Sequence, residues 1–204
     1  MLNIAVFGSG RGSNFQAILS AIETRKLPGV RIVLVVSNNS DSGILDIARR
    51  NGLPSMHLSE RQFPDENAFT DAVLASLARH GADFIALAGY MKRVPQRVIA
   101  AYRNRIINIH PALLPKFGGK GMYGIHVHEA VLAAGEPVTG ATVHVVDEDY
   151  DHGAVVLQRQ VPVYPGDTPE ILAARVLEVE HQIYPEALAL FAAGKIRVPA
   201  PLQH

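Results

Sequence analysis

The chain has 204 residues, enough to bury one sizeable core and few for two, and its 19 Lys+Arg balance 19 Asp+Glu. A formal charge of zero leaves no basic field for nucleic acid and no attraction to membranes, so an anionic ligand must be held by a local site. The absence of cysteine excludes disulfides, thiolate nucleophiles and sulfur-based zinc sites, leaving nine histidines and the carboxylates as the only metal donors.

Residues 2–7 are apolar or small, Asn3 excepted, and no basic segment precedes them, which marks a first strand and not a signal peptide. No stretch approaches the roughly 18 apolar residues that span a bilayer. A cytoplasmic setting is expected. From there strand-like runs at 3–7, 31–37, 55–57 and 83–88 alternate with helical periodicity at 14–23, 42–51 and 66–80. Such alternation implies a parallel sheet with crossover helices. Residues 95–101 read as a short helix before a strand at 105–109, and 127–134 as a helix after a glycine-rich loop. The strands at 140–146 and 154–163 are separated only by the acidic stretch 147–153, too short for a crossover helix, so they should pair antiparallel. Residues 168–193 are helical with Pro169 in the first turn, while Pro185, well inside, is expected to kink or split the helix. The Pro-rich residues 198–204 read as a tail. The expected fold is α/β: a single-domain, Rossmann-like, mostly parallel sheet with helices on both faces and an antiparallel C-terminal strand pair.

The first strand runs into GSGRGSN, where Gly8, Gly10 and Gly12 precede a helix whose N–H groups and dipole suit a phosphate. A dinucleotide fingerprint fits less well. Ser13 stands at its third glycine position, and the end of the second strand carries Ser37, Asn38 and Asn39 where an acid would hold a ribose. Further on, Asn108 and His110 flank Ile109, so a strand places both side chains on one face, at the carboxyl end where open α/β sheets bind ligands. Asn can donate to an oxygen that is becoming negative and His can move a proton near neutral pH, which together suit acyl transfer to an amine. A carboxylate should orient the imidazole, and Asp147, Glu148, Asp149 and Asp151 of the acidic turn are the candidates.

These segments resemble the phosphoribosylglycinamide formyltransferases, folate-dependent enzymes of purine synthesis. The likeness is carried by GSN at 12–14, LAGYM at 87–91, NIHPALLP at 108–115, GATVHVV at 140–146, the acidic turn ending in Asp151, and EHQIYP at 180–185. It implies one formyltransferase domain over 1–204, with a phosphate-binding half at 1–100 and a catalytic and folate-binding half at 101–193. Carried over by position, it makes Asn108, His110 and Asp151 the catalytic set. Gly12, Ser13 and Asn14 would hold the phosphate of the glycinamide ribonucleotide, and Glu180 its ribose. Folate would lie against Met91, Lys92, Arg93 and Val94, with Asn108, His144, Asp147, Glu148, Asp149, Tyr150 and Asp151 completing its pocket. The co-substrate would be 10-formyltetrahydrofolate, with no metal, and the partners small molecules, with the chain a monomer or homodimer and neither nucleic acid nor membrane involved.

Two stretches depart from the family pattern. The loop after Pro115 is long and ends in His126 and His128, a HxH pair expected to be solvated and not a metal site. Near residues 62–67, Arg61 is the only cation available to a folate tail. A methionyl-tRNA formyltransferase would need an RNA-binding C-terminal domain, and a formyltetrahydrofolate deformylase usually carries an N-terminal regulatory one, so neither is expected.

Overall fold

A computed structural model describes residues 1–148 and 151–196. The expected tail at 198–204 lies outside these residues, as do Asp149 and Tyr150. The first half runs β1 (Leu2–Phe7), α1 (Ser13–Glu23), β2 (Val30–Ser37), α2 (Gly43–Arg50), β3 (Ser55–His57), α3 (Glu66–Arg79) and β4 (Phe84–Leu87). The second runs α4 (Gln96–Ala101), β5 (Ile106–His110), α5 (Ile125–Ala133), β6 (Val138–Val145), β7 (Val155–Pro162) and α6 (Pro169–Ala192). Seven strands make one sheet in the order β3-β2-β1-β4-β5-β6-β7. The first five in that order are parallel, and β6 and β7 are antiparallel to their neighbours, as the short connection between them demands.

Period-two alternation sorts the strand side chains onto two faces, each with its own core. Ile4, Val6, Val35, Ile107, Ile109 and Val143 pack against α1, α2, α5 and α6. Ala5, Phe7, Leu34, Leu87 and Ile106 face α3 and α4 on the other side, in a cluster with no buried member from β6 or β7. That second face is therefore open beyond β5.

Pro185 does not split the last helix, which continues for 24 residues. A proline inside a helix costs ~3 kcal/mol. Here Ile183, Tyr184, Ala187 and Leu188 around it are almost wholly buried, and at ~1.5–3 kcal/mol for each large side chain their burial outweighs that cost. The Tyr184 hydroxyl adds a bond to the sheet, reaching the carbonyls of Leu87 at 2.9 Å and Ile107 at 3.2 Å.

The register sets the rim. Phe7 aligns with Val36 and Leu87, and Leu87 aligns with Asn108, so the strands end level and β5 outruns β4 by two residues. Asn108 stands at the edge and His110 projects beyond it.

Candidate active site

Asn108 and His110 share the face of Ile106, where α3 and α4 no longer cover the sheet. The chain leaving β5 forms the cover instead. Thr142, the β6 partner of His110, accepts from the Leu114 amide at 3.1 Å and donates to the Ala112 carbonyl at 2.6 Å. Gln158 of β7 bonds the Leu114 carbonyl at 3.0 Å and Thr142 Oγ1 at 2.9 Å. These bonds pin residues 112–114 over the open face, and the Leu114–Pro115 peptide that follows is cis.

Under this cover four polar side chains converge. Asp151, in the left-handed region at φ 56°, places Oδ2 3.6 Å from His110 Nδ1 and Oδ1 3.4 Å from His144 Nε2. The Gly119 amide donates to Asp151 Oδ2 at 2.9 Å. His110 Nε2 lies 2.8 Å from the Phe117 carbonyl, which can only accept, so that nitrogen carries the proton of the neutral ring and Nδ1 faces the carboxylate with a lone pair. Asn108 Nδ2 lies 3.2 Å from His144 Nε2, while His144 Nδ1 meets the Val145 carbonyl at 3.0 Å. His144, which the family likeness implies as part of the folate pocket, thus belongs to the same cluster as the three catalytic candidates.

Burial and pairing compete at His110, which is 3% exposed. Desolvation pushes its pKa below the usual histidine value, and the Asp151 charge opposes that shift without overturning it. Asp151 titrates below the ordinary carboxylate range: burial raises it, and its bond to His144, the charge of His110 and the Gly119 amide together pull it lower. The resting site is therefore a carboxylate facing a neutral imidazole that lacks one proton to become its ion-pair partner.

The HxH pair is not uniformly solvated, contrary to expectation. His126 is exposed and pairs with Glu129 at 3.0 Å, but His128 is 4% exposed on the inner side of α5. Burial, reinforced by the nearby His110, depresses its pKa to about 4. Among the described residues no cluster of His, Asp and Glu is placed to hold a metal ion.

At the other end of the rim Gly12 adopts φ 82° and hands the chain to α1 without any side-chain cap, leaving first-turn N–H groups available to an anion. The turn borders a cavity of about 650 Å³, which also takes in Ser13, Asn14, Asn38, Lys92 and Tyr123. Asn14 Nδ2 donates to Glu180 Oε2 at 2.6 Å, joining two predicted ribonucleotide residues that are 166 positions apart. Asn14 Oδ1 is buried without a partner among the described residues. A phosphate offers only acceptors, so that oxygen suits a hydroxyl or amide donor of a ligand, while the backbone N–H groups suit its phosphate. Burial raises the Glu180 carboxyl above its usual range, against the lowering effect of the Asn14 bond.

The residues expected to meet folate are spread more widely. Met91 and Lys92 line the same cavity as the glycine turn, and Val94 is buried in the α3–α4 core, which leaves only its backbone to face a ligand. Arg93 reaches the Glu148 carbonyl at 3.2 Å, tying that segment to the acidic turn of Asp147 and Glu148. Sequence reading passed over Ser9, whose hydroxyl donates to Asn38 and accepts from the Met91 amide, holding three rim segments together. The Asn pair after β2 was its signal, since two amides at a strand end on the binding rim must find partners.

Comparison with known proteins follows the same lines. Residues 2–188 match the family described as formyl transferase. The phosphoribosylglycinamide formyltransferase of Escherichia coli (strain K12) is 36% identical over 197 residues, covering 97% of this chain and 90% of that protein. The chloroplastic phosphoribosylglycinamide formyltransferase of Arabidopsis thaliana is 43% identical, covering 95% of this chain and 66% of its own length. The chain thus spans just under two thirds of that plant relative, and 62% of the one from Vigna unguiculata. Among solved structures, glycinamide ribonucleotide transformylase 1 of Symbiobacterium toebii superposes with a TM-score of 0.91 at 41% identity, covering 98% of this chain and 91% of that one. The phosphoribosylglycinamide formyltransferase of Brucella melitensis gives a TM-score of 0.86 at 42% identity, covering 98% and 99%.

Proposed function

The chain belongs to the formyl transferase family, and from that premise we propose that it transfers the formyl group of 10-formyltetrahydrofolate to the amine of N1-(5-phospho-D-ribosyl)glycinamide, a step of de novo purine (IMP) biosynthesis. The observation that carries this reading is the convergence, along one rim, of an uncapped helix turn fit for phosphate with an Asn–His–Asp cluster fit for a tetrahedral oxyanion. Residues 1–100 form the phosphate-binding half and 101–193 the catalytic and folate-binding half, and the reaction is assigned to the cytoplasm.

In the reaction, the amine nitrogen attacks the formyl carbon, and as the new C–N bond forms the carbonyl π pair moves onto oxygen. Asn108 Nδ2 and His110 Nε2–H are the donors for that oxyanion. Nε2–H is engaged by the neutral Phe117 carbonyl in the resting site, and an anionic oxygen competes for it through a stronger, charge-assisted bond. The attacking nitrogen, positively charged once the C–N bond has formed, releases a proton that His110 takes up at Nδ1, completing the pair with Asp151. Collapse restores the carbonyl and breaks the bond to folate N10, which receives the proton that the attacking nitrogen released, so that His110 ends neutral again. Met91, Lys92, the backbone of Val94, Arg93 and the turn of Asp147, Glu148 and Asp151 are assigned to the folate. The first-turn amides of Gly12, Ser13 and Asn14 are assigned to the phosphate, and Glu180 to the ribose.

The test is to mix the protein with 10-formyltetrahydrofolate, with and without the glycinamide ribonucleotide, and follow tetrahydrofolate. Release that depends on the amine is expected. Release without it would assign hydrolysis of the formyl donor, and no release at all would defeat the reading.

A further inference from the structure

Tyr123 has no role in the chemistry above, yet it stands at the cavity where the ribonucleotide is placed. It is 54% exposed, so the ring is open to a ligand, and it forms part of the cavity wall with Gly12, Ser13 and Lys92. The ring is braced. It meets the His126 imidazole edge-on, with centroids 5.6 Å apart at 84°, and His126 Nδ1 is held 3.0 Å from Glu129 Oε2 on α5. The wall thus combines the uncapped amides of α1, an ammonium and a phenol, three kinds of donor that match a group offering only acceptors.

We propose that Tyr123 is a binding residue for the phosphate monoester of the ribonucleotide, its hydroxyl donating to a phosphate oxygen across the cavity from the α1 amides. The inference rests on the reading that this cavity takes the ribonucleotide, and it adds a contact on the loop side that none of the sequence segments identified. His126 and Glu129 act as positioning residues that fix the ring. Because the loop carrying Tyr123 also supplies the Phe117 carbonyl to His110 and the Gly119 amide to Asp151, this contact is borne by the same segment that touches the reacting groups.

Tyr123→Phe keeps the ring and removes only the O–H, and at so exposed a position it leaves the fold intact. Calorimetric titration with ribose 5-phosphate is expected to show affinity weakened about 3- to 10-fold, as for one hydrogen bond to a charged group partly open to water. The KM for the glycinamide ribonucleotide should rise by the same factor, with kcat and the KM for 10-formyltetrahydrofolate within about twofold of wild type. Equal affinity of both proteins for ribose 5-phosphate overturns the proposal, as does a fall in kcat with KM unchanged. Loss of affinity in Tyr123→Ala but not in Tyr123→Phe would assign the ring to shielding and overturn the hydroxyl contact. Tyr123-dependent binding of ribose 5-phosphate by a protein that releases no tetrahydrofolate would sink the catalytic reading and leave this one standing.

Discussion

Asn108 and His110 are neighbours on one strand face but face different constraints. Asn108 is half-buried at the rim, so truncating it opens little space in the core while removing an oxyanion donor. Asn108→Ala is expected to lose about 10²-fold or more in kcat with an unchanged circular dichroism melting curve; near-normal turnover would remove it from the mechanism. His110 is governed by two opposed influences, burial lowering its pKa and Asp151 raising it. Asp151→Asn removes the raising influence, so the ring's NMR titration midpoint should move further down from its wild-type position. An unchanged or higher midpoint would mean that the 3.6 Å approach carries no electrostatic coupling. The pairing of Asn108 with His110 could be read from alternation alone. Asp151 could not be singled out from its acidic neighbours without a family likeness, because its left-handed backbone and its distance to His110 are set by the fold and not by local sequence.

At the level of elements, the turn after β1 depends on how closely α1 and α2 approach. A Cβ on Gly12 would lie 2.8 Å from the Ile44 Cα, and one on Gly43 would lie 2.7 Å from the Arg11 carbonyl oxygen. The two helix starts interlock through backbone, so neither neighbour can give way by rotating a side chain. Gly12→Ala adds this contact to a φ of 82°, and about 2 kcal/mol or more should be lost in urea unfolding; a midpoint equal to wild type would show that the turn can relax. The Tyr184 hydroxyl ties α6 to β4 and β5 from within the core, and Tyr184→Phe is expected to cost ~1–2 kcal/mol in the same measurement. Alternating strand and helix patterns made these elements legible in the sequence, including the antiparallel pair. Pro185 misled because a local penalty was weighed without the buried residues that flank it. His128 misled similarly, since the long loop hid that α5 begins at Ile125 and turns that histidine inward.

For the molecule as a whole, the buried histidine of α5 makes folding sensitive to acid. The neutral form is favoured in the folded state, so its contribution to stability is fully present above the unfolded value of about 6.5. It is lost progressively as pH falls toward the folded value of about 4. His128→Leu should flatten the dependence of the urea midpoint between pH 7 and pH 4 relative to wild type, and an identical slope would place the acid sensitivity elsewhere. The two-residue overhang of β5 has a further consequence, for how the chain tolerates changes of length. Deleting one residue between Ile106 and His110 would draw the histidine back by about 3.3 Å and turn the shifted side chains to the opposite face. Between Lys120 and Tyr123, beyond the two residues that bond His110 and Asp151, the chain belongs to no strand or helix, and an added residue there need shift no register. Insertions and deletions in proteins of this architecture should therefore gather in that loop and spare the strand, so the reach of Tyr123 can drift while the Asn–His spacing stays fixed.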